Sequence, residues 1–99
     1  MLIHSVYFWL KPELKPEEIQ QYVNGAKSLL KISSVRHGWV AKPAIYDRPV
    51  IDRSYSFALI LVFDNTAGHD AYQVDPIHDQ FRTGCSHLWN QVKIYDSEE

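Results

Sequence analysis

An α+β fold with the element order β-α-β-β-α-β is predicted for this 99-residue chain by three features of its sequence. Two long apolar segments, Ile3–Leu10 and Tyr55–Phe63, alternate with the period of a strand. Two others, each led by a proline (Pro16 and Pro76), carry their apolar residues at helical spacing instead. Aromatic residues make up 13% of the chain, which favours large side chains packed on sheet faces.

In the first strand His4, Val6, Phe8 and Leu10 share one face, and Ile3, Ser5, Tyr7 and Trp9 share the other. Lys11-Pro12 ends it, because proline cannot donate to a ladder. Pro16 then occupies a first helical turn, with Glu17 and Glu18 complementing the positive end of the dipole. Ile19, Tyr22, Val23, Ala26, Leu29 and Leu30 form the apolar stripe of a helix of about four turns. Val35–Ala41 reads as a short strand in which Gly38 is a weak point or a bulge.

Residues 42–54 carry Pro43, Pro49 and five charges and read as a loop, long enough to suggest a functional or interfacial role. Tyr55, Phe57, Leu59, Leu61 and Phe63 alternate with Ala58, Ile60 and Val62, so this strand is expected to be central and covered on both sides. Asp64 and Asn65 break it and cap a short helix, Thr66–Gln73. Asp75-Pro76 restarts the chain as an N-cap and first helical residue, followed by the stripe Ile77, Phe81, Cys85, Leu88 and Trp89, with Gly84 a mild flaw. Val92–Tyr95 is a last strand, and Ser97–Glu99 is expected to be a solvated tail. The order matches the ferredoxin-like split βαβ arrangement, one four-stranded antiparallel sheet with helices on a single face. Length and the absence of repeats or linkers fit one domain over residues 1–99.

That architecture leaves a sheet face uncovered. A fully buried large apolar side chain is worth ~1.5–3 kcal/mol relative to exposure. Four or five left in water, for example Tyr7, Trp9, Ile60 and Val62, forgo ~6–15 kcal/mol, comparable with the whole stability of a domain. A second copy placed sheet to sheet removes that exposure, so a two-fold homodimer is expected.

The net charge of −2, with basic residues scattered singly, leaves no electrostatic footprint for nucleic acid or an anionic membrane. Cys85 is alone, which excludes an internal disulfide and fits a reducing, cytoplasmic setting. The apolar opening has no basic leader and stops at Lys11, so it reads as a strand and neither a signal peptide nor a membrane span.

Several of these segments together resemble a known family. The opening Met-Leu-Ile-His-Ser-Val-Tyr-Phe-Trp-Leu-Lys-Pro leads to the Pro16-Glu17-Glu18 helix. The Tyr55–Asp64 strand ends in Phe-Asp and is followed by Ala71-Tyr72-Gln73-Val74-Asp75-Pro76-Ile77-His78. Across residues 2–96 the chain resembles the stress-responsive dimeric α/β-barrel (Dabb) family, most specifically in Tyr-x-x-x-Pro-x-His. Members often have histidine immediately before that proline, where this chain has Asp75.

The resemblance implies ferredoxin-like protomers whose two sheets join into a dimeric α/β barrel. In one branch, the plant olivetolic acid cyclases, a linear polyketide is closed by aldol condensation without any cofactor. There a tyrosine and a histidine matching Tyr72 and His78 carry the chemistry. A histidine in that branch's third strand corresponds to Phe57 here, so its pocket polarity is not reproduced.

The residues point to the same pair independently. His78 is the third residue of a helix capped by Asp75, near the positive dipole end, which favours the neutral imidazole a general base needs. The bland alternative is a histidine that joins the cap or pairs with Asp79. Tyr72 lies six residues earlier, where its hydroxyl can face the same cavity and stabilise a carbonyl or enolate oxygen, or simply meet water.

His4 is a satisfied core or edge histidine, or a polar group on a cavity floor. The remaining helix-facing candidates for a ligand cavity are Val6, Phe8, Phe57, Leu59, Leu61, Phe81 and Trp89. No metal site is expected, because His69, His78 and His87 follow no ligand rhythm and neither Cys-x-x-Cys nor His-x-x-x-His occurs. Cys85 falls on the buried stripe and no glycine-rich phosphate loop is present, which disfavours thiol catalysis and nucleotide binding.

The leading expectation is therefore binding of a small apolar, aromatic or carbonyl-rich molecule, with cofactor-free acid–base chemistry by Tyr72 and His78. A non-catalytic stress-associated dimer is the second reading, and a cofactor-independent or haem-using monooxygenase the third.

Overall fold

The computed structural model describes all of residues 1–99. The period-two segments become β1 (Leu2–Leu10) and β3 (Phe57–Phe63), which pair antiparallel with His4 opposite Leu61, Val6 opposite Leu59 and Phe8 opposite Phe57. β2 (His37–Ala41) flanks β3 and β4 (Trp89–Glu98) flanks β1, giving the sheet order β2-β3-β1-β4. This is the ferredoxin-like α+β fold, with all neighbouring strands antiparallel. Three helices, α1 (Pro16–Leu29), α2 (Thr66–Gln73) and α3 (Pro76–Cys85), supply the second layer. The shortest dimension, 17 Å, leaves room for the sheet and one helical layer only.

The register decides which of the two apolar faces meets the helices. His4, Val6, Phe8, Leu59, Leu61 and Phe63 are buried beneath them, together with Tyr22, Ala26 and Leu29 of α1 and Phe81 and Cys85 of α3. α1 starts where expected, with the Lys15 N–H donating to Glu18 Oε1 at 2.9 Å. Ile19, placed on the stripe by its spacing, is 37% exposed, and Tyr22, Ala26 and Leu29 are the buried residues of the helix.

The opposite face carries Ile3, Tyr7, Trp9, Ile60 and Val62, only partly buried, beside Trp39 and Tyr95, which are 55% and 58% exposed. β3 is thus central as expected, but within one chain it is covered on one side only.

Four local expectations change. Tyr55 does not continue the Phe57 face, because the strand begins at Phe57. Its ring instead packs on the helix-free side, 4.9 Å from Tyr7 and 6.5 Å from Trp9. The last helix stops at Cys85; Ser86–Leu88 form a 3₁₀ turn and Trp89 opens β4. β4 then runs to Glu98, so Ser97 and Glu98, read as tail, belong to the ladder opposite Ile3 and Leu2. Side-chain alternation missed this because an edge strand in water is held by backbone pairing with β1 rather than by burial.

Gly38 is neither a bulge nor a weak point. It sits in regular pairing opposite Leu61, and a methyl group there would meet Leu30 Cδ2 and, at 2.8 Å, Leu61 Cδ2. The end of α1 crosses β2 over this glycine. Gly38→Ala is expected to lower stability by about 1–3 kcal/mol, the cost of overpacking. Urea denaturation checks this, and an unchanged midpoint would show that Leu30 moves aside freely.

Candidate functional site

Two caps position the central pair. Asn65 Oδ1 accepts from the Gly68 N–H at 3.1 Å and starts α2, which turns Tyr72 inward to 2% exposure. Three residues later Asp75 Oδ1 accepts from the Ile77 N–H at 2.8 Å and Pro76 begins α3. The tight α2–α3 junction brings the His78 ring to 4.9 Å from the Tyr72 ring, at an interplanar angle of 74°.

Both rings face a cavity of about 340 Å³ between the sheet and α3, within the usual range of small-molecule sites. Its floor is His4, Val6 and Phe8 of β1 with Leu59 of β3, and its far wall is Phe81 and Trp89. Val92 and Ile94 of β4 form the rim, 41% and 53% exposed, since the helices do not reach over this edge strand. Gln73 and Arg82 add polar groups.

Phe57 and Leu61, placed with the cavity residues by their alternation, do not line it. Phe57 packs against Tyr22, ring centroids 5.2 Å apart, and Leu61 is wholly buried beside its strand partner Gly38. Both lie on the correct face of the sheet but away from the gap between α3 and β4. Gln73, Arg82, Val92 and Ile94 were missing from the sequence candidates. Val92 and Ile94 had a legible signal, since they fall on the helix-facing side once paired with Phe8 and Val6.

His78 Nδ1 is buried and has no hydrogen-bond partner, so the ring neither joins the cap nor pairs with Asp79. Burial pushes its pKa down, and the positive charge of Arg82 adds to the effect. The ring is therefore neutral at pH 7. Burial pushes the Tyr72 phenol up, which keeps its proton in place as a donor.

His4 is 4% exposed, with Nδ1 2.5 Å from Asp96 Oδ1 across the β1–β4 ladder. Burial lowers its pKa, an effect that Asp96 only partly offsets. His4 is thus both satisfied and part of the cavity floor. Cys85 is buried and its thiol pKa is raised by desolvation, which makes it a packing residue.

The lowered His78 pKa has a stability consequence. The unfolded chain binds the proton near pH 6.5 and the folded chain only at lower pH. Folding stability is therefore retained above about pH 6.5 and falls as the pH drops below it towards the folded-state pKa. Denaturation at pH 7.5 and pH 5 is expected to show a smaller loss for His78→Gln than for the wild type; equal losses would refute the buried neutral ring.

Fold and cavity define the class, a ferredoxin-like α+β protomer with a pocket between helices and sheet. The stress responsive A/B barrel domain (Dabb) family matches residues 2–99, and the chain belongs to that family. No curated protein matches the sequence.

Among solved structures it is similar to a Dabb family protein with a ferredoxin-like fold from Mesorhizobium loti, 25% identical with a TM-score of 0.80 over 99% of this chain and 95% of that one. A dimeric ferredoxin-like protein from Thermobifida fusca is 17% identical with a TM-score of 0.79, over 99% and 90%. The hydroxynitrile lyase from Passiflora edulis is 17% identical with a TM-score of 0.78, over 97% and 90%. No helix is long and apolar enough to cross a membrane.

Proposed function

We propose that two copies of this chain associate through their helix-free sheet faces into a dimeric α/β barrel. Each protomer then uses its cavity to bind a small aromatic or carbonyl-containing molecule, on which Tyr72 and His78 perform cofactor-free acid–base chemistry. The observation that carries this is the cavity wall itself, a neutral histidine and a protonated tyrosine facing one another on a mainly apolar lining.

His78 removes a proton from the carbon next to a carbonyl, and the Tyr72 hydroxyl donates a hydrogen bond to the oxygen that becomes negative. The proton held by His78 is returned to the product, so the cycle needs no external donor. An aldol-type ring closure fits this scheme: the enolate carbon attacks a second carbonyl of the same molecule, and the alkoxide formed takes the proton from His78. A lyase step would run the same groups in reverse, with His78 taking a hydroxyl proton as the carbon–carbon bond breaks and the released carbon or cyanide leaving group accepting it. The hydroxynitrile lyase of similar fold supports the reverse, bond-breaking direction, and the dimeric neighbour supports the association.

A thermal-shift screen of small aromatic acids, polyketide-like lactones and quinones tests the site. Stabilisation of the wild type is expected, with the shift lost in His78→Ala. Ligands that stabilise both proteins equally would remove His78 from the contact surface.

A further inference from the structure

The sequence spacing hides one cluster that the fold assembles at the His4 end of the cavity. His4 in β1, His69 in α2 and Asp96 in β4 each offer a ligand atom, and these atoms all lie within 4.8 Å of one another. The three residues come from three elements separated by long stretches of chain, so no motif could announce them. The His4 and His69 ring centroids are 4.8 Å apart.

From this juxtaposition we propose that His4, His69 and Asp96 form a binding site for a divalent first-row transition ion such as zinc. The inference is independent of the reading of Tyr72 and His78.

Chemistry and geometry both support the site. Two imidazoles and one carboxylate suit zinc and its neighbours in the first row, whereas calcium and magnesium prefer all-oxygen sets. Zinc takes histidine nitrogen and carboxylate oxygen at about 2.0–2.2 Å, so its ligand atoms stand roughly 3–3.5 Å apart in a tetrahedron. His4 and Asp96 are now closer than that, at 2.5 Å, sharing a hydrogen bond. The ion would displace the shared proton to solvent and part the two side chains by about 0.5–1 Å, by the same geometry. Asp96 can yield, since its side chain is 42% exposed.

The surroundings suit His69 as a ligand. Its Nδ1 lies 3.8 Å from Asp70 Oδ1, which places a second carboxylate close enough to orient the ring. Its Nε2 is 3.3 Å from Nε2 of Gln73, whose side chain is exposed and free to move. Gln73 and His4 both line the cavity, so the cluster adjoins it at that end. Three protein ligands leave a fourth position for water or for a ligand entering from the cavity.

Zinc titration of the purified, chelator-treated protein by calorimetry tests the proposal, with thermal melts of every variant to show that it is folded. One ion per chain is expected at micromolar zinc, with affinity weakened at least about tenfold in both His69→Ala and Asp96→Ala. His37→Ala and His87→Ala, which alter exposed histidines outside the cluster, are expected to bind as the wild type does. Absence of binding up to about 100 μM zinc, more than 100-fold weaker than typical structural zinc sites, would overturn the proposal. So would a loss of less than tenfold in either cluster variant, or a larger loss in His37→Ala or His87→Ala. Should His69→Ala fail to fold, His69→Gln replaces it under the same criterion.

Discussion

Ile60→Asp is expected to abolish self-association. The wild type should run at twice the chain mass at micromolar concentration in size-exclusion chromatography with light scattering, and the variant at the mass of a single chain. Ile60 lies near the middle of the helix-free face, on β3, opposite Ser5 of β1 and Trp39 of β2. Around it are Ile3, Tyr7, Trp9 and Val62, only partly covered, and the more exposed Trp39 and Tyr95. Completing their burial is worth on the order of 5–10 kcal/mol per protomer. Two protomers thus supply about 10–20 kcal/mol against an association cost of ~4–15 kcal/mol.

A carboxylate in that position loses the isoleucine contribution and must also be desolvated twice across a two-fold interface, at several kcal/mol for each ion. Val74→Asp is the control. It introduces the same charge at a site that is 77% exposed, in the turn between α2 and α3, and should leave the mass unchanged. A monomeric wild type, or a dimeric Ile60→Asp protein, would remove the sheet-to-sheet assembly.

The sequence made the central strands and all three helix starts readable because each is specified locally. Alternation in β1 and β3, prolines at 16 and 76, and side-chain caps at Asn65 and Asp75 act within a few residues of the structure they impose. β4 was only half readable, since its residues lie largely in water and it is held by pairing with β1. The choice between two apolar sheet faces was also not local. It depends on where α1 and α3 land, and Gly38, which admits the end of α1, acquires its meaning only from that contact.

The site divides in the same way. Tyr72 and His78 are six residues apart and bracket one turn, so their meeting could be anticipated. His4, His69 and Asp96 meet through sheet register and helix placement, and nothing in their spacing carries that information. Phe57 and Leu61 show the limit of a face assignment, because it names the side of the sheet but not the position of the gap.

On a substrate found by the ligand screen, His78→Ala is expected to reduce kcat by about 10²–10⁴-fold, the usual contribution of a positioned base. Tyr72→Phe should cost about 10²–10³-fold, the loss of one oxyanion donor. Neither change should unfold the protein. Removing the His78 ring also removes a buried nitrogen without a partner, which offsets some of the lost packing. Tyr72→Phe keeps the ring contacts with Phe63 and His78, whose centroids lie 5.3 Å and 4.9 Å away.

The double variant separates a joint catalytic role from two independent ones. If the base and the oxyanion donor act in the same transition state, the combined loss is expected to be much smaller than the product of the single losses. The lowered His78 pKa adds a second readout: kcat/KM should be flat near pH 7 and fall only as the pH drops below the ordinary histidine range, where the imidazole takes up a proton. Turnover that survives both single substitutions with the wild-type pH profile would place the chemistry elsewhere and leave the cavity as a binding site alone.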